Sequence, residues 1–227
     1  MLSFFSSIGM VLAIGGLVLP LALFAYFPDF AGKATFTVIF LLVVIERLWF
    51  SLCTSKEKNP IRVQQDWTFV AVGLAYTLLM YVVILEFYLQ RSEQGYQIGV
   101  GVLAALMFVV SLALRWWSVH HLGSQWAIHV EGSEKADRHL VRTGPYSFVR
   151  HPIYLAAMIE VIAIPAFFNG FWSVLFAAVV CVPLIVARTN FEERNSLAIF
   201  GTDYEKYQKS TRAYWPVQKR NQEGHPI

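Results

Sequence analysis

The stretch "TGPYSFVRHPIY", residues 143–154, places polar side chains directly before a long apolar run. Gly144 opens a Gly-Pro turn signal, and Pro152 suits the first turn of a helix, where its missing N–H is no loss. Arg150 and His151 would then lie at a helix N-terminus, where exposed N–H groups and the positive dipole end favour anionic groups. The pattern therefore predicts a binding corner, although contact of Arg150 with lipid phosphate beside an interfacial His151 is an open alternative.

A second polar cluster, Arg188 with Glu192 and Glu193, lies at the end of the next pair of apolar runs. If the segment is helical, Arg188 and Glu192 share one face and could simply pair, for a few tenths of a kcal/mol. The same geometry offers a cation that could bind a substrate carboxylate. Beside it lies a hydrogen-bond acceptor for ribose hydroxyls or an amino group. This pattern alone leaves both interpretations open.

Two further carboxylates, Glu86 and Glu160, lie inside apolar runs. Each would cost about 2.5–3.5 kcal/mol at the centre of a bilayer, so each should face protein, a partner or a water-filled cavity. Glu160 follows Pro152 by about 12 Å along a helix. We therefore expect Glu160 to line a cavity below the polar site, as a candidate catalytic group, and Glu86 to lie near the outer interface.

The elements that must position these residues are membrane helices. Only 15% of the 227 residues are charged, against about 25% in typical globular proteins, and the uncharged runs reach the ~20 residues that span a bilayer. The composition predicts an all-α polytopic membrane helix bundle with about six transmembrane helices, or five if one run is re-entrant or interfacial. The first run is too long for a signal peptide and is expected to be retained. The runs are 8–27, 34–53, 68–89, 97–114, 152–168 and 171–187.

The last two runs predict a tight helical hairpin, because only Asn169 and Gly170 join them. A short hairpin returns the chain to the same surface, so the polar segments 115–151 and 188–227 on either side of it should be neighbours. In the second segment Gly201 is a helix stop signal. Beyond it Tyr204 and Tyr207, at a spacing of three, should share a helix face.

Charge distribution predicts the orientation. With the N-terminus inside, the outer loops contain only Lys33 and Arg91 of the 18 lysines and arginines, so both termini and the polar site should be cytoplasmic. The net charge of +3 follows from this asymmetry and does not indicate nucleic-acid binding, which needs a concentrated basic face. Cys53 and Cys181 lack metal-ligand spacing and are expected to be buried small hydrophobic residues.

Together the two polar motifs resemble the membrane methyltransferases typified by isoprenylcysteine carboxyl methyltransferase, to which phospholipid N-methyltransferases are related. The family pattern is close to LV-x-x-G-x-Y-x-x-x-R-H-P-x-Y, a hairpin, then R-x-x-x-E-E and F-G-x-x-Y. The resemblance covers roughly residues 115–210. The matching positions are Leu140, Val141, Gly144, Tyr146, Arg150, His151, Pro152, Tyr154, Arg188, Glu192, Glu193, Phe200, Gly201 and Tyr204.

This resemblance implies S-adenosylmethionine as the cofactor, with S-adenosylhomocysteine as its product, bound without a metal between the segment before the hairpin and the last helix. It also implies a division into N-terminal transmembrane helices, 1–115, that form scaffold and acceptor cavity, and a methyltransferase region, 116–227, around the hairpin 152–187. Arg188 would contact the acceptor. The cofactor contacts carried over are Leu140, Val141, Gly144, Tyr146, Arg150, His151, Pro152, Ile153, Tyr154, Glu192 and Glu193.

An acceptor that arrives as an anion needs no general base, whereas an amine, thiol or ordinary alcohol does. Apart from Glu160 there is no spare candidate base, which favours O-methylation of an acidic group on a lipophilic molecule. The resemblance implies a carboxylate of the C-terminal S-prenyl-cysteine type as the expected acceptor. A lipid-like pyrone or phenol, N-methylation of a phospholipid, and a sterol-reductase-like NADPH enzyme remain alternatives. The expected partners are a lipophilic small molecule or prenylated protein and membrane lipids, in a bacterial inner membrane or the endoplasmic reticulum.

Overall fold

The computed structural model describes residues 67–89, 97–123 and 139–215. The first two apolar runs and Cys53 lie outside these ranges, so six spans stay a prediction. The described ranges contain helices and no β-strand, which confirms the predicted all-α class. The helices are α1 Trp67–Leu89, α2 Ile98–Leu122, α3 Pro152–Phe167, α4 Phe171–Phe200 and α5 Thr202–Ser210.

Two of these helices, α2 and α4, are long and apolar enough to cross a bilayer. The apolar helical segments Ala71–Phe87 of α1 and Pro152–Phe167 of α3 are shorter. The polar residues of α4 begin at Arg188, so its last turns extend beyond its apolar part.

The end of α2 differs from the predicted boundary. The apolar run ends at Leu114, but the helix continues to Leu122, and the predicted division at 115/116 falls inside it. Arg115, the first charged residue, is buried and forms an ion pair with Glu160 of α3. A charged residue that is paired on a neighbouring helix need not end an apolar helix.

Packing holds α2 along α3 and α1 against α4. The core between α1, α3 and α4 consists of aliphatic side chains, and Cys181 is buried among them as predicted. Its most buried aliphatic members are Leu79, Val83, Ile84, Val161, Ala177 and Ile185.

The hairpin tip is fixed by a carboxylate from α1. Asn169 adopts a left-handed conformation (φ 57°) between α3 and α4. Glu86 accepts hydrogen bonds from the backbone N–H groups of Trp172 (2.8 Å) and Ser173 (2.7 Å), and from the Ser173 hydroxyl. The first N–H groups of a helix have no partner within it, and the positive end of its dipole favours an anion there. Glu86 thus caps α4 and ties α1 to the hairpin.

The C-terminal part of α4 lies beside the start of α3 and leads into α5. A π-helical turn, Ala177–Cys181, precedes Pro183, whose ring nitrogen cannot donate to a carbonyl of the preceding turn. Gly201 (φ 54°) ends α4 as predicted, and α5 follows directly. The rings of Tyr204 and Tyr207 lie 6.0 Å apart and both are buried, which confirms their shared face.

Candidate functional site

The start of α3 has the predicted local structure. A 3₁₀ turn, Gly144–Ser147, follows the Gly-Pro signal, and α3 begins at Pro152 with His151 as its cap residue. Tyr146 and His151 are both buried at this corner. The helix N-terminus therefore lies where the motif predicted it.

Gly144 is required by a close approach to α2. Its φ is +59°, and a Cβ atom at this position would lie 2.2 Å from Cδ2 of His121. An L-residue is strained at positive φ, and here it would also clash. The glycine of the motif therefore sets how closely the turn packs on α2.

Glu193 is the centre of a polar clamp. Its Oε1 atom accepts hydrogen bonds from Nε (3.0 Å) and Nη2 (2.6 Å) of Arg150 and lies 3.0 Å from Nε2 of His151. Its Oε2 atom accepts a hydrogen bond from the Gln208 side chain at 3.1 Å. One carboxylate on α4 thus holds the start of α3 and the middle of α5.

The charge of Glu193 is stabilised by these donors. Burial opposes its ionisation, but the hydrogen bonds and charges of His151 and Arg150 outweigh burial and lower the pKa of Glu193 to about 2. The Glu193 carboxylate at the centre of the clamp is therefore ionised at neutral pH.

The segment after α5, residues 211–215, lies across the start of α3; we call it the strap. Its carbonyls accept backbone hydrogen bonds, with Arg150 N to Arg212 O at 2.9 Å and His151 N to Ala213 O at 3.1 Å. The Arg150 guanidinium also donates to the carbonyls of Gln208 (3.3 Å) and Thr211. Arg150 therefore joins α3, α4, α5 and the strap.

Glu192, the neighbour of Glu193, faces tyrosine hydroxyls instead. Its carboxylate interacts with the hydroxyl of Tyr154 in the first turn of α3. Burial and then the charge of Glu192 raise the pKa of Tyr146 well above 10. The Tyr146 hydroxyl is buried and has no hydrogen-bond partner within the described ranges. A buried hydroxyl in this position calls for a polar partner.

Arg188 links this cluster to α1. Its Nε atom donates to the Tyr154 hydroxyl at 3.3 Å, and its Nη1 atom lies 3.4 Å from the Thr68 hydroxyl. Its guanidinium also lies over the Phe191 ring at 6.0 Å. The cation is thus located where α1, α3 and α4 meet.

Glu160 lies in the interior of the bundle with no exposed surface. It accepts hydrogen bonds from Arg115 of α2 and, at 3.0 Å, from the Tyr76 hydroxyl of α1. Arg115 and Tyr76 were missed as its partners. The sequence did carry a signal for Arg115, because a charge in an apolar helix needs an opposite charge on a neighbouring helix.

The remaining predicted residues surround this corner less closely. Leu140 and Val141 are half-buried in the segment that leads into the 3₁₀ turn, and Ile153 is half-buried in the first turn of α3. The structure therefore gathers the hairpin-end residues at one end of the bundle and leaves Glu160 in its interior. The gathered residues are Tyr146, Arg150, His151, Pro152, Tyr154, Arg188, Glu192 and Glu193.

Most of the site lies in a stretch of the chain that is similar to known proteins. The isoprenylcysteine carboxyl methyltransferase family matches residues 103–198, a stretch that contains most of the site. An uncharacterised protein of Bacillus subtilis, YpbQ, is 20% identical over 166 residues, 70% of this chain and 95% of that protein.

Two relatives carry named activities. The protein-S-isoprenylcysteine O-methyltransferase of Schizosaccharomyces pombe is 30% identical over 90 residues, 39% of this chain and 38% of that enzyme. Methanethiol S-methyltransferase 1 of Bradyrhizobium diazoefficiens is 35% identical over 81 residues, 36% of this chain and 27% of that enzyme. The matches thus span well under half of either enzyme. They confirm the resemblance that the two motifs predicted: residues 103–198 of this chain are similar to the isoprenylcysteine carboxyl methyltransferase family.

Proposed function

We propose that this protein is an S-adenosylmethionine-dependent methyltransferase that O-methylates the carboxylate of a lipophilic acceptor at the membrane. The observation that carries the proposal is the position of the Tyr154 hydroxyl, which contacts both the Arg188 guanidinium, at 3.3 Å, and the Glu192 carboxylate. A cation for an anionic acceptor and a carboxylate for a cationic or hydroxyl-bearing cofactor therefore meet at one point.

The residues at this corner fit S-adenosylmethionine. The Glu192 carboxylate can accept hydrogen bonds from an ammonium group or from ribose hydroxyls, and the buried Tyr146 hydroxyl needs a polar partner. The half-buried Leu140, Val141 and Ile153 supply apolar surface beside them. When bound, the cofactor supplies an activated methyl group on a positively charged sulfur.

Arg188 would hold the acceptor anion. Its guanidinium is bracketed by Tyr154 and Thr68, which fix its direction at the junction of three helices. A fixed cation orients a carboxylate through paired hydrogen bonds, and the apolar surroundings exclude water from the reacting groups. An ionised carboxylate needs no general base.

Arg150 and Glu193 have positioning roles in this proposal. Their contacts are with each other, with His151, with the Gln208 side chain and with carbonyls of α5 and the strap, so they hold the walls of the site together. His151 contacts Glu193 and packs its ring 5.9 Å from that of Tyr154, which couples the clamp to the binding residues.

The membrane setting completes the proposal. The chain would cross the bilayer several times, with the site on the cytoplasmic side and the acceptor entering laterally between helices. The Arg115–Glu160 pair would then support the acceptor cavity from the interior of the bundle. A prenylated protein, or a lipophilic small molecule with an acidic group, fits this route.

A second candidate is methylation of a small thiol, because one relative is named for that reaction. A thiol has an ordinary pKa of about 8.5 and must lose a proton, so it needs a base near the methyl group. Glu160, the candidate base, already forms an ion pair with Arg115 and accepts a hydrogen bond from Tyr76, so it is poorly placed to take a proton from a thiol. This favours the carboxylate acceptor over the thiol.

The experiment is transfer of a labelled methyl group by the purified full chain in detergent or lipid. Separate arms would contain a prenyl-cysteine analogue, a lipophilic extract rich in phenols and phospholipids, and methanethiol. We expect a base-labile methyl ester in a carboxylate arm, and loss of transfer in Arg188→Ala with cofactor binding retained. Transfer to methanethiol or to an amine alone would replace the proposed acceptor, and NADPH-dependent reduction without methyl transfer would overturn the enzyme class.

A further inference from the structure

The strap, residues 211–215, lies beyond the stretch 103–198 that the family matches and beyond the two motifs. It is nevertheless fixed on the start of α3. Val149 and Arg212 form an isolated parallel bridge, and two backbone hydrogen bonds join Arg150 and His151 to the strap. The strap is therefore part of the same corner as the motif residues.

Tyr214 is the strap residue that points at the site. Its ring lies 6.3 Å from that of His151, and the His151 ring lies 5.9 Å from that of Tyr154. Its hydroxyl is buried beside Thr189 of α4, one helical turn before Glu193. The three rings thus form a continuous row from the strap to the first turn of α3.

This hydroxyl is buried at the same corner as that of Tyr146. Both hydroxyls are buried without a hydrogen-bond partner in good geometry within the described ranges. Glu192 is the main charge acting on Tyr146, whereas Glu193 and Arg150 act on Tyr214 ahead of Glu192. A purely structural strap needs only its backbone hydrogen bonds and the bonds from Arg150, which would hold it with a phenylalanine at position 214 as well. The Thr189 hydroxyl, which donates to the Ile185 carbonyl, can accept the proton of the Tyr214 hydroxyl, and the Tyr214 oxygen is then left to accept a hydrogen bond from a ligand.

We propose that Tyr214 is a cofactor-binding residue, and that the strap forms one wall of the S-adenosylmethionine site. Its hydroxyl would hydrogen-bond a polar group of the amino-acid or ribose part of the cofactor, on the same side as Glu192. This inference rests on the proposed function, because it names a further residue of the same site.

The test is the affinity for S-adenosylhomocysteine, measured by calorimetry on the full chain in detergent. The wild type would be compared with Tyr214→Phe and with Tyr204→Phe, a control that removes another buried hydroxyl, one that interacts with Ser196. Loss of one hydrogen bond predicts a Kd about 3- to 10-fold weaker for Tyr214→Phe. The control should bind as the wild type does.

A second measurement does not depend on a variant that alters binding. With 3-fluorotyrosine at position 214, the fluorine resonance should shift when S-adenosylhomocysteine is added. A wild type that binds no S-adenosylhomocysteine would overturn the proposed function. A wild type that binds, with an unchanged Kd for Tyr214→Phe and no fluorine shift, would overturn the role of Tyr214 alone.

Discussion

Substitution of Glu193 by Gln tests the division of labour between the two adjacent glutamates. Glu193 accepts hydrogen bonds from Arg150 and Gln208 and contacts His151, and its pKa falls from 4.5 to about 2. At about 1.4 kcal/mol for each tenfold change in acidity, this corresponds to about 3 kcal/mol of folding free energy. Because the side chain is 18% exposed, solvent screening reduces it to about 2 kcal/mol.

The direction of the Glu193 pKa shift determines the pH range in which Glu193→Gln should be less stable than the wild type. A carboxylate whose pKa is lowered on folding contributes stability above its unfolded pKa, here 4.5, and the contribution is lost as the pH falls towards about 2. Glu193→Gln should therefore unfold about 4–8 °C below the wild type at pH 7 in detergent. The difference between the two proteins should narrow below pH 4.5.

Glu192→Gln is the matched control, one residue along the same helix. It should keep the wild-type melting temperature within about 2 °C at pH 7, because the clamp is untouched and the Gln amide oxygen can still accept from the Tyr154 hydroxyl. It should lose S-adenosylhomocysteine binding. The assay is thermal unfolding followed by tryptophan fluorescence, with and without ligand. Equal melting temperatures for Glu193→Gln and the wild type at pH 7, or a difference that persists unchanged at pH 3, would refute the reasoning.

Three further substitutions test the scaffold, each by thermal unfolding in detergent. Gly144→Ala should lose at least about 1–2 kcal/mol from its positive φ alone. Adding His121→Ala to Gly144→Ala should remove the clash with the His121 ring but not the backbone strain at positive φ. Recovery to wild-type stability in the double variant would contradict that strain. Glu160→Leu removes the carboxylate that pairs with the buried Arg115, which should cost about 3–5 kcal/mol. Arg115→Met added to it should restore most of this, and no gain from the second change would argue against the pair. Glu86→Leu should cost about 1–3 kcal/mol by leaving N–H groups of α4 unpaired, and an unchanged melting temperature would contradict the cap.

The helices and the hairpin could be predicted because they depend on local signals. Uncharged runs set the apolar helices, Pro152 set the start of α3, and Gly201 set the end of α4. The gathering of the two motifs followed from the shortness of the hairpin. None of these inferences needed side-chain contacts between distant segments.

The partners of the charged residues could not be predicted in the same way. Glu192 and Glu193 are identical in type, and successive residues of a helix point in directions about 100° apart. Which one faces the tyrosines and which one the clamp depends on how α4 is rotated against α3. The same holds for Glu86, whose three donors at the hairpin tip come from a different helix.

Tyr214 illustrates a different limit. Its position follows from backbone pairing between the strap and the start of α3, over a separation of about 60 residues in sequence. A lone aromatic residue after a helix carries no local signal of such pairing. Arg115 carried a signal, since an intramembrane charge needs a partner, but the uncharged run ends at Leu114, directly before it.

The central claim is that the corner between α3, α4 and the strap binds S-adenosylmethionine. The most direct measurement is equilibrium binding of radiolabelled S-adenosylmethionine to the purified wild-type chain, with competition by S-adenosylhomocysteine and by NADPH. The account predicts saturable binding of one molecule per chain, displaced by S-adenosylhomocysteine, untouched by NADPH and lost in Glu192→Gln. Absence of saturable binding, or displacement by NADPH, would contradict it.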